Sequence, residues 1–451
     1  MKTIGFIIII LLTACIKVYS QNGYGLKDLI ALAEKNYPSI AAKKYQALAA
    51  AKGIAIQKNT IVPSFDATYQ ADFATYNNIT GMAYPQYLVP ISGPPSTTNN
   101  YNAVMGSAAS LLLNWQPITF GQRTAQINVA SQNYRLTLAD QNNTLFQIKL
   151  NVVSTWLNIL YADELIKVYR ENIIRIQTQL KQISSLVKSG IRPGADTSLF
   201  QAELSKGNID LYNLQLYRTQ QQNNLIELTG GIRMAVVTDS SLAHQLPEFN
   251  LDDSMVTHPF IQYGLQLIQL QRADKAAIQK SKLPKLNVWS TAYARGSGIK
   301  YDGSVKSADG LGLSRYNYGF GLQLSVPILQ FTYTRLQVQQ QDALISSYQS
   351  LLQQTRLQLT TDSLNASEAL RSSLQVVNEV PAQLSAATVA YRSTLSRYNA
   401  GLASFADLIQ SEYALVQAET YVRQSYLNVW KAMLQQIAAK GNIELFLNQV
   451  R

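Results

Sequence analysis

The sequence is written twice, and that constrains the fold more than any other feature. Gly190 and Asp196 recur as Gly401 and Asp407 at an offset of 211 residues, and Leu204 and Gly230 recur at that offset as Leu415 and Gly441. Nearer the start of each half, Tyr37-Pro38 is echoed by His258-Pro259 and Val62-Pro63 by Leu283-Pro284, both offset by 221, while Pro117 pairs with Pro327 at 210. An ordered series of this kind marks a duplication, which is sought before any motif. It defines a first structural repeat at 26–230, a linker at 231–255, a second repeat at 256–441 and a tail at 442–451. The fall in offset gives the first repeat 11 more residues between its second and third landmarks. Length alone would suggest two or three separate globular domains, and the duplication argues against them.

Each half alternates helix and strand in the same order. Residues 27–60, rich in Ala, Lys and Gln, predict one helix of about 34 residues. From Ser64 to Tyr76 the period becomes two, with Phe65, Ala67, Tyr69, Ala71 and Phe73 on one face and Asp66, Thr68, Gln70 and Asp72 on the other. Successive strand side chains point to opposite faces, so this is the pattern of a half-buried strand. A Gly/Pro/Asn/Thr segment at 77–100 predicts a loop. Residues 101–116 alternate again, with Ala103, Met105, Ala109, Leu111, Leu113 and Trp115 opposed to Asn102, Gly106, Ser110 and Asn114. The second half gives a strand at 286–295, with Trp289 and Tyr293 on one face and Leu286 and Val288 on the other. A Gly-rich loop at 296–314 follows, then the clearest strand, 315–326. There Tyr316, Tyr318, Phe320, Leu322, Leu324 and Val326 oppose Arg315, Asn317, Gly319, Gly321, Gln323 and Ser325. Such strands are long enough for the ~9–11 tilted residues that cross a bilayer. Tyr76, Tyr101, Trp115 and Tyr316 would form aromatic girdles.

The helices match in length. Gly121–Lys188 and Phe331–Asn399 predict helices of 68 and 69 residues, the second bending at Pro381. At 1.5 Å per residue each reaches about 100 Å. The shorter helices, 27–60 with 195–229 and 258–283 with 404–440, sum to about the same length in each half, so each pair stacked end to end would lie along one long helix. The stripe Val153, Trp156, Leu157, Leu160 and Tyr161 is coiled-coil core at helical spacing. Four strands cannot close a barrel, and an open sheet edge in lipid leaves backbone groups unsatisfied. Two chains give eight strands around a filled interior; three give twelve around water. A homotrimer is the smallest conducting assembly.

Composition closes off other classes. Charged residues are 14% and hydrophobic ones 47%, which disfavours disorder. Beyond the N-terminus no stretch approaches the ~20 apolar residues of a spanning helix. Lys2 and the apolar run Ile4–Leu12, with Val18-Tyr19-Ser20 before Gln21, predict a signal peptide at 1–20. A rival reading takes Leu12-Thr13-Ala14-Cys15 as a lipobox with Cys15 lipidated. Cleavage after Ser20 removes Lys2 and Lys17 and takes the formal charge from +11 to +9. The remaining positive charge is spread without a Lys/Arg run, so nucleic acid is not an expected partner. Two histidines, His244 and His258, have no local metal-ligand partner. No positioned acid, base or nucleophile stands out, so no enzyme, cofactor or metal is expected.

Two segments then carry a resemblance: Lys188-Ser189-Gly190-Ile191-Arg192-Pro193-Gly194-Ala195-Asp196 and Arg397-Tyr398-Asn399-Ala400-Gly401-Leu402-Ala403-Ser404-Phe405-Ala406-Asp407. They resemble the repeated turn of the TolC family of bacterial outer-membrane efflux proteins, a basic residue then Gly-x5-Asp entering a helix that ends Leu-x-Gly (here Leu228-Thr229-Gly230). Val326-Pro327-Ile328 is similar to the family's strand exit into its long helix. The resemblance implies a mainly α chain with a β-barrel segment: a trimeric twelve-stranded outer-membrane barrel, four strands per chain, on a long periplasmic α-helical barrel. It implies a passive channel of an efflux or type I secretion system, with a periplasmic adaptor, an inner-membrane pump and outer-membrane lipid as partners. It also implies adaptor docking at the two turns, through Gly190, Ile191, Arg192, Gly194, Asp196, Arg397, Gly401, Leu402, Ser404 and Asp407. As helix punctuation alone, Gly190 and Gly401 would be C-caps and Asp196 and Ser404 N-caps. Exposed Ile191, Arg192 and Leu402 favour partner contact. Some relatives line the closed aperture with acids, but none stands between Glu379 and Asp407; Arg392 and Arg397 there read first as solvated surface, with a basic constriction as the alternative. The rival architecture is a periplasmic coiled-coil scaffold or adaptor without a barrel.

Overall fold

The computed structural model describes residues 23–75, 77, 97–248, 258–300, 302 and 304–450. The signal segment with Cys15, Tyr76, and most of the 77–100 loop lie outside the described residues. In chain order the elements are α1 (Leu26–Asn36), α2 (Pro38–Asn59), β1 (Ser64–Ala74), β2 (Val104–Ile118), α3 (Gln122–Lys188) and α4 (Gly194–Leu228), then α5 (Pro259–Lys280), β3 (Lys285–Ser297), β4 (Arg315–Ser325), α6 (Gln330–Asn399), α7 (Phe405–Lys440) and α8 (Glu444–Leu447). No described helix is long and apolar enough to cross a membrane.

The expected single helix at 27–60 is two helices. Pro38 clashes with a helical residue before it, and Tyr37 takes an extended conformation at φ −69, ψ 120 as the C-cap of α1. By contrast α6 continues for 70 residues through Pro381. The strands start and stop within three residues of their expected bounds, β3 running longer at both ends and β1 stopping at Ala74.

The chain forms two compact units, and neither follows the sequence halves. One contains the segments up to Leu48, Leu136–Leu267 and Tyr348 onward; the other contains Ala49–Arg135 and Ile268–Ser347. The second unit holds one antiparallel sheet in the order β1-β2-β3-β4, so the β2–β3 pairing joins the two repeats. Its helix-side end is tied by Arg123, whose guanidinium donates to the carbonyls of Pro117 at 3.3 Å and of Gln116, and to Thr60 Oγ1 at 3.3 Å. Gln122 Nε2 donates to Leu283 O at 2.7 Å, tying the second repeat to the same junction.

The first unit is held by an apolar core of Trp156, Leu157 and Leu160 from α3, Leu225 from α4, Trp430 and Met433 from α7, and Phe446. Burying each such side chain contributes about 1.5–3 kcal/mol. The linker and the tail both contribute to this core among their described residues. The linker packs in, with Leu242 buried, Trp156 Nε1 donating to Val237 O at 3.1 Å and Trp430 Nε1 to Gln245 O at 3.0 Å. The tail folds into α8 and buries Phe446, Leu447 and Val450.

The duplication has a spatial counterpart in this unit. Gly230 (φ +80) lies so close to Asn36 that a β-carbon would sit 2.7 Å from its carbonyl oxygen. Its sequence equivalent Gly441 (φ +79) presses in the same way on His258, with 2.9 Å to Cα. In each half a left-handed glycine after the last long helix therefore lies against the residues around the repeat's first X-Pro landmark, Asn36 before Tyr37-Pro38 and His258 of His258-Pro259, and only glycine tolerates both the conformation and the approach.

Candidate functional site

The sheet separates its residues by chemistry. Directly paired residues of neighbouring strands share a face, so the register aligns Phe65 with Leu113 and Ser290 with Phe320, and Tyr69 with Ala109, Ala294 and Tyr316. On this face Phe65, Tyr69, Phe73, Tyr316, Tyr318, Phe320 and Leu322 are all exposed, Phe320 at 82%. The opposite face carries Thr68, Ser110, Asn287, Thr291, Asn317 and Gln323, and all five charged residues of the four strands: Asp66, Asp72, Lys285, Arg295 and Arg315. Leu286 and Val288 join the apolar face by pairing with Leu324 and Leu322. Trp289 lies on the polar face over Gly321, where a β-carbon would meet its ring at 2.8 Å. The irregular alternation of β3 thus places two aromatics, the partly buried Trp289 over Gly321 and Tyr293 beside Asn317, on the polar face. Tyr101 and Tyr316 lie at the loop-side end of the sheet, and Trp115 at the helix-side end donates to Ile61 O at 2.8 Å. Such an arrangement suits lipid outside and water inside.

The two turns are built by the chain around them. Gly190 (φ +74) and Gly401 (φ +80) hold left-handed backbone. Ile191 N–H donates to Leu186 O at 3.0 Å and Leu402 N–H to Arg397 O at 2.8 Å, the six-to-one bond that closes a helix end. Ser404 caps α7 in a reciprocal box with Asp407: Asp407 N–H donates to Ser404 Oγ at 3.2 Å, and Ser404 N–H to Asp407 Oδ2 at 3.0 Å. The Ser404 hydroxyl and N–H hold the Asp407 carboxyl below the usual carboxylate range.

Asp196 does not do the same for α4. The N-cap there is Pro193, without a side-chain bond, because the chain enters the helix one residue before Gly194. Asp196 instead accepts from Tyr398 Oη at 2.8 Å. Arg192, expected to be exposed, is half-buried: its guanidinium donates to Tyr398 O and lies 4.3 Å above the Tyr398 ring. Tyr398 is 1% exposed and packs on Phe200, which in turn meets Phe405 edge-on at 4.9 Å. Burial, with the Asp196 carboxylate, raises the phenol well above its usual value. Tyr398 therefore binds the two turns together. In the sequence it carries one local signal, an aromatic where the first turn has Val187 at the 211-residue offset. Ile191 and Leu402 remain 67% and 71% exposed, and Gly194, Arg392 and Arg397 are exposed as well. Arg397 donates to Leu402 O at 3.5 Å.

One turn-proximal group breaks the rule that buried charges are paired. Glu412 on α7 is 2% exposed, and neither carboxyl oxygen has a hydrogen-bond partner among the described residues. Arg175 nearby is committed to Glu419, at 2.9 and 2.7 Å. Burial pushes the Glu412 carboxyl up to about 7, against an opposing pull from Arg175. The folded state then holds a proton between the ordinary carboxyl value and about 7 that the unfolded chain has released, so stability falls as pH rises through that window. Glu412→Gln is neutral throughout. It should raise the thermal midpoint at pH 8 and change it little at pH 4.5; parallel curves for the two proteins would contradict this.

Comparison with known proteins agrees with this geometry. Residues 29–231 match the family model described as "Outer membrane efflux protein". No curated protein matches the chain. Among solved structures it is similar to CusC (14% identity, TM-score 0.74, covering 94% of this chain and 96% of that one). It is also similar to the Campylobacter jejuni CmeC outer membrane channel (16%, 0.73, 92% and 85%) and to the open state of the Neisseria gonorrhoeae MtrE outer membrane channel (17%, 0.68, 92% and 89%). The chain has the TolC-like channel fold, with four strands per chain and long helices.

Proposed function

We propose that this chain, whose residues 29–231 match the outer membrane efflux protein model and whose fold is that of such channels, is the outer-membrane channel of a tripartite efflux or type I secretion system. It is a passive conduit in the outer membrane with a periplasmic extension, and its family is one of channels, not enzymes. The observation that carries this is the two-faced sheet: every strand charge lies on one face, and the exposed aromatic side chains Phe65, Tyr69, Phe73, Tyr316, Tyr318 and Phe320 lie on the other. A coiled-coil scaffold without a barrel has no use for Phe320 and Tyr318 bare to solvent.

The free edges of β1 and β4 need partners in lipid, and three copies joined β4 to β1 would supply them with twelve strands. The exposed Leu336, Leu344, Leu351, Leu357 and Leu364 on α6 are what a seam between subunits requires. The turns at 188–196 and 397–407 are read as the adaptor contact, with Ile191 and Leu402 as the apolar anchors beside Gly190, Arg192, Gly194, Asp196, Arg397, Gly401, Ser404 and Asp407. The inner-membrane pump lies beyond the adaptor. Outer membranes should yield a detergent-resistant trimer that dissociates on heating; a soluble monomer would overturn the channel reading.

A further inference from the structure

We propose that the loop-side mouth of the pore is an anion-selective constriction made by Arg295 and Arg315, an inference that rests on the channel reading above. The two residues are direct partners in the β3–β4 register, on the polar face. Directly opposed strand residues bring their β-carbons within about 5 Å, and like charges there repel. Water and passing anions relieve that repulsion; a packed face would not. Both side chains are exposed, and neither guanidinium has a carboxylate partner among the described residues.

The surrounding acids do not neutralise them. Asp72 is the nearest strand acid; its register partner is Gly106, and Gly106 pairs in turn with Ser297, so it is two strands from Arg295. It accepts from Gln70 Nε2 at 2.7 Å. In the loop between β3 and β4, Lys306 pairs with Asp309 at 3.2 Å, and Lys300 faces Asp302, so that loop balances itself. The sequence from Phe73 to Gln122, which holds the other loop, contains no charged residue. Lys285 and Asp66 carry opposite charges toward the helix-side ends of their strands, away from the loop-side mouth. Each chain therefore places two arginines against one aspartate at the mouth, and a trimer multiplies that excess by three. The field attracts inorganic and organic anions such as carboxylates and sulfonates.

The test is reversal potential across planar bilayers holding the full-length trimer, under a KCl gradient near 0.1 M, where the screening length is about 10 Å. Wild type should favour chloride. Arg295→Gln with Arg315→Gln should lose most of that preference at similar conductance, and Arg295→Lys with Arg315→Lys should keep it, separating charge from folding. At about 1 M salt the difference should collapse, since screening shortens to about 3 Å. Conducting trimers with the same reversal potential in wild type and the Gln pair would overturn the proposal. Assembled trimers that pass no current would instead overturn the channel reading beneath it.

Discussion

Phe320→Arg is expected to remove most assembled trimer from the outer membrane, while Gln323→Arg leaves its amount near that of wild type. Phe320 is the sixth of eleven residues in β4, so it sits at the middle of the strand's span, and it is 82% exposed on the apolar face. A lipid-facing arginine at the bilayer midplane costs about 2–4 kcal/mol, and a trimer bears that cost three times. Net stabilities of folded proteins are about 5–15 kcal/mol, so the threefold cost is of the size of the whole margin. Gln323 points the other way and pairs with Asn287 on the face that already carries the strand charges. An arginine there stays in water. Quantitative blotting of heat-labile trimer in outer-membrane fractions reads both variants, and equal yields would show that the faces have been assigned wrongly.

Gly401→Val should abolish export while trimer persists. A β-carbon at Gly401 meets nothing within 4 Å, so the whole cost of the substitution lies in its left-handed backbone at φ +80. That conformation costs an L-residue about 1–2 kcal/mol, and a β-branched one more. The margin of the assembled channel exceeds it, so the turn changes shape before the trimer is lost. The altered turn moves Leu402, which is 71% exposed, and the Leu402 N–H bond to Arg397 that closes α6. It also disturbs Tyr398, three residues earlier, through which the first turn is attached. Dye export and trimer bands measured in the same cells separate the outcomes. Normal export would remove the turn from the docking surface, and loss of trimer in step with export would reduce Gly401 to a helix cap.

The sequence by itself determined whatever repeats at short range or at fixed offset. Alternation located all four strands, because side-chain direction in a strand is set by the pleat alone. The 211-residue offset located both glycine turns, because left-handed backbone is a local demand on residue type. The N-cap at Ser404 was legible for the same reason, since capping acts within one helical turn; its reciprocal bond with Asp407 is seen in the structure. Even the failure at 27–60 was local, since Pro38 stood in the sequence and its steric effect on Tyr37 decides the break.

Tertiary structure alone decided the contacts between residues far apart in the chain. The side of the sheet to which Trp289 belongs follows from the absence of a side chain at Gly321, 32 residues later. Asp196 leaves its expected cap for the hydroxyl of Tyr398, and Arg192 leaves solvent for the same ring, across some 200 residues. The solitary Glu412 carboxyl is buried because helices from both repeats close over it and Arg175 is already taken by Glu419. Periodicity fixes the direction in which a side chain leaves its own backbone. The atoms it meets there depend on which distant segment folds against it, and no local pattern encodes that choice.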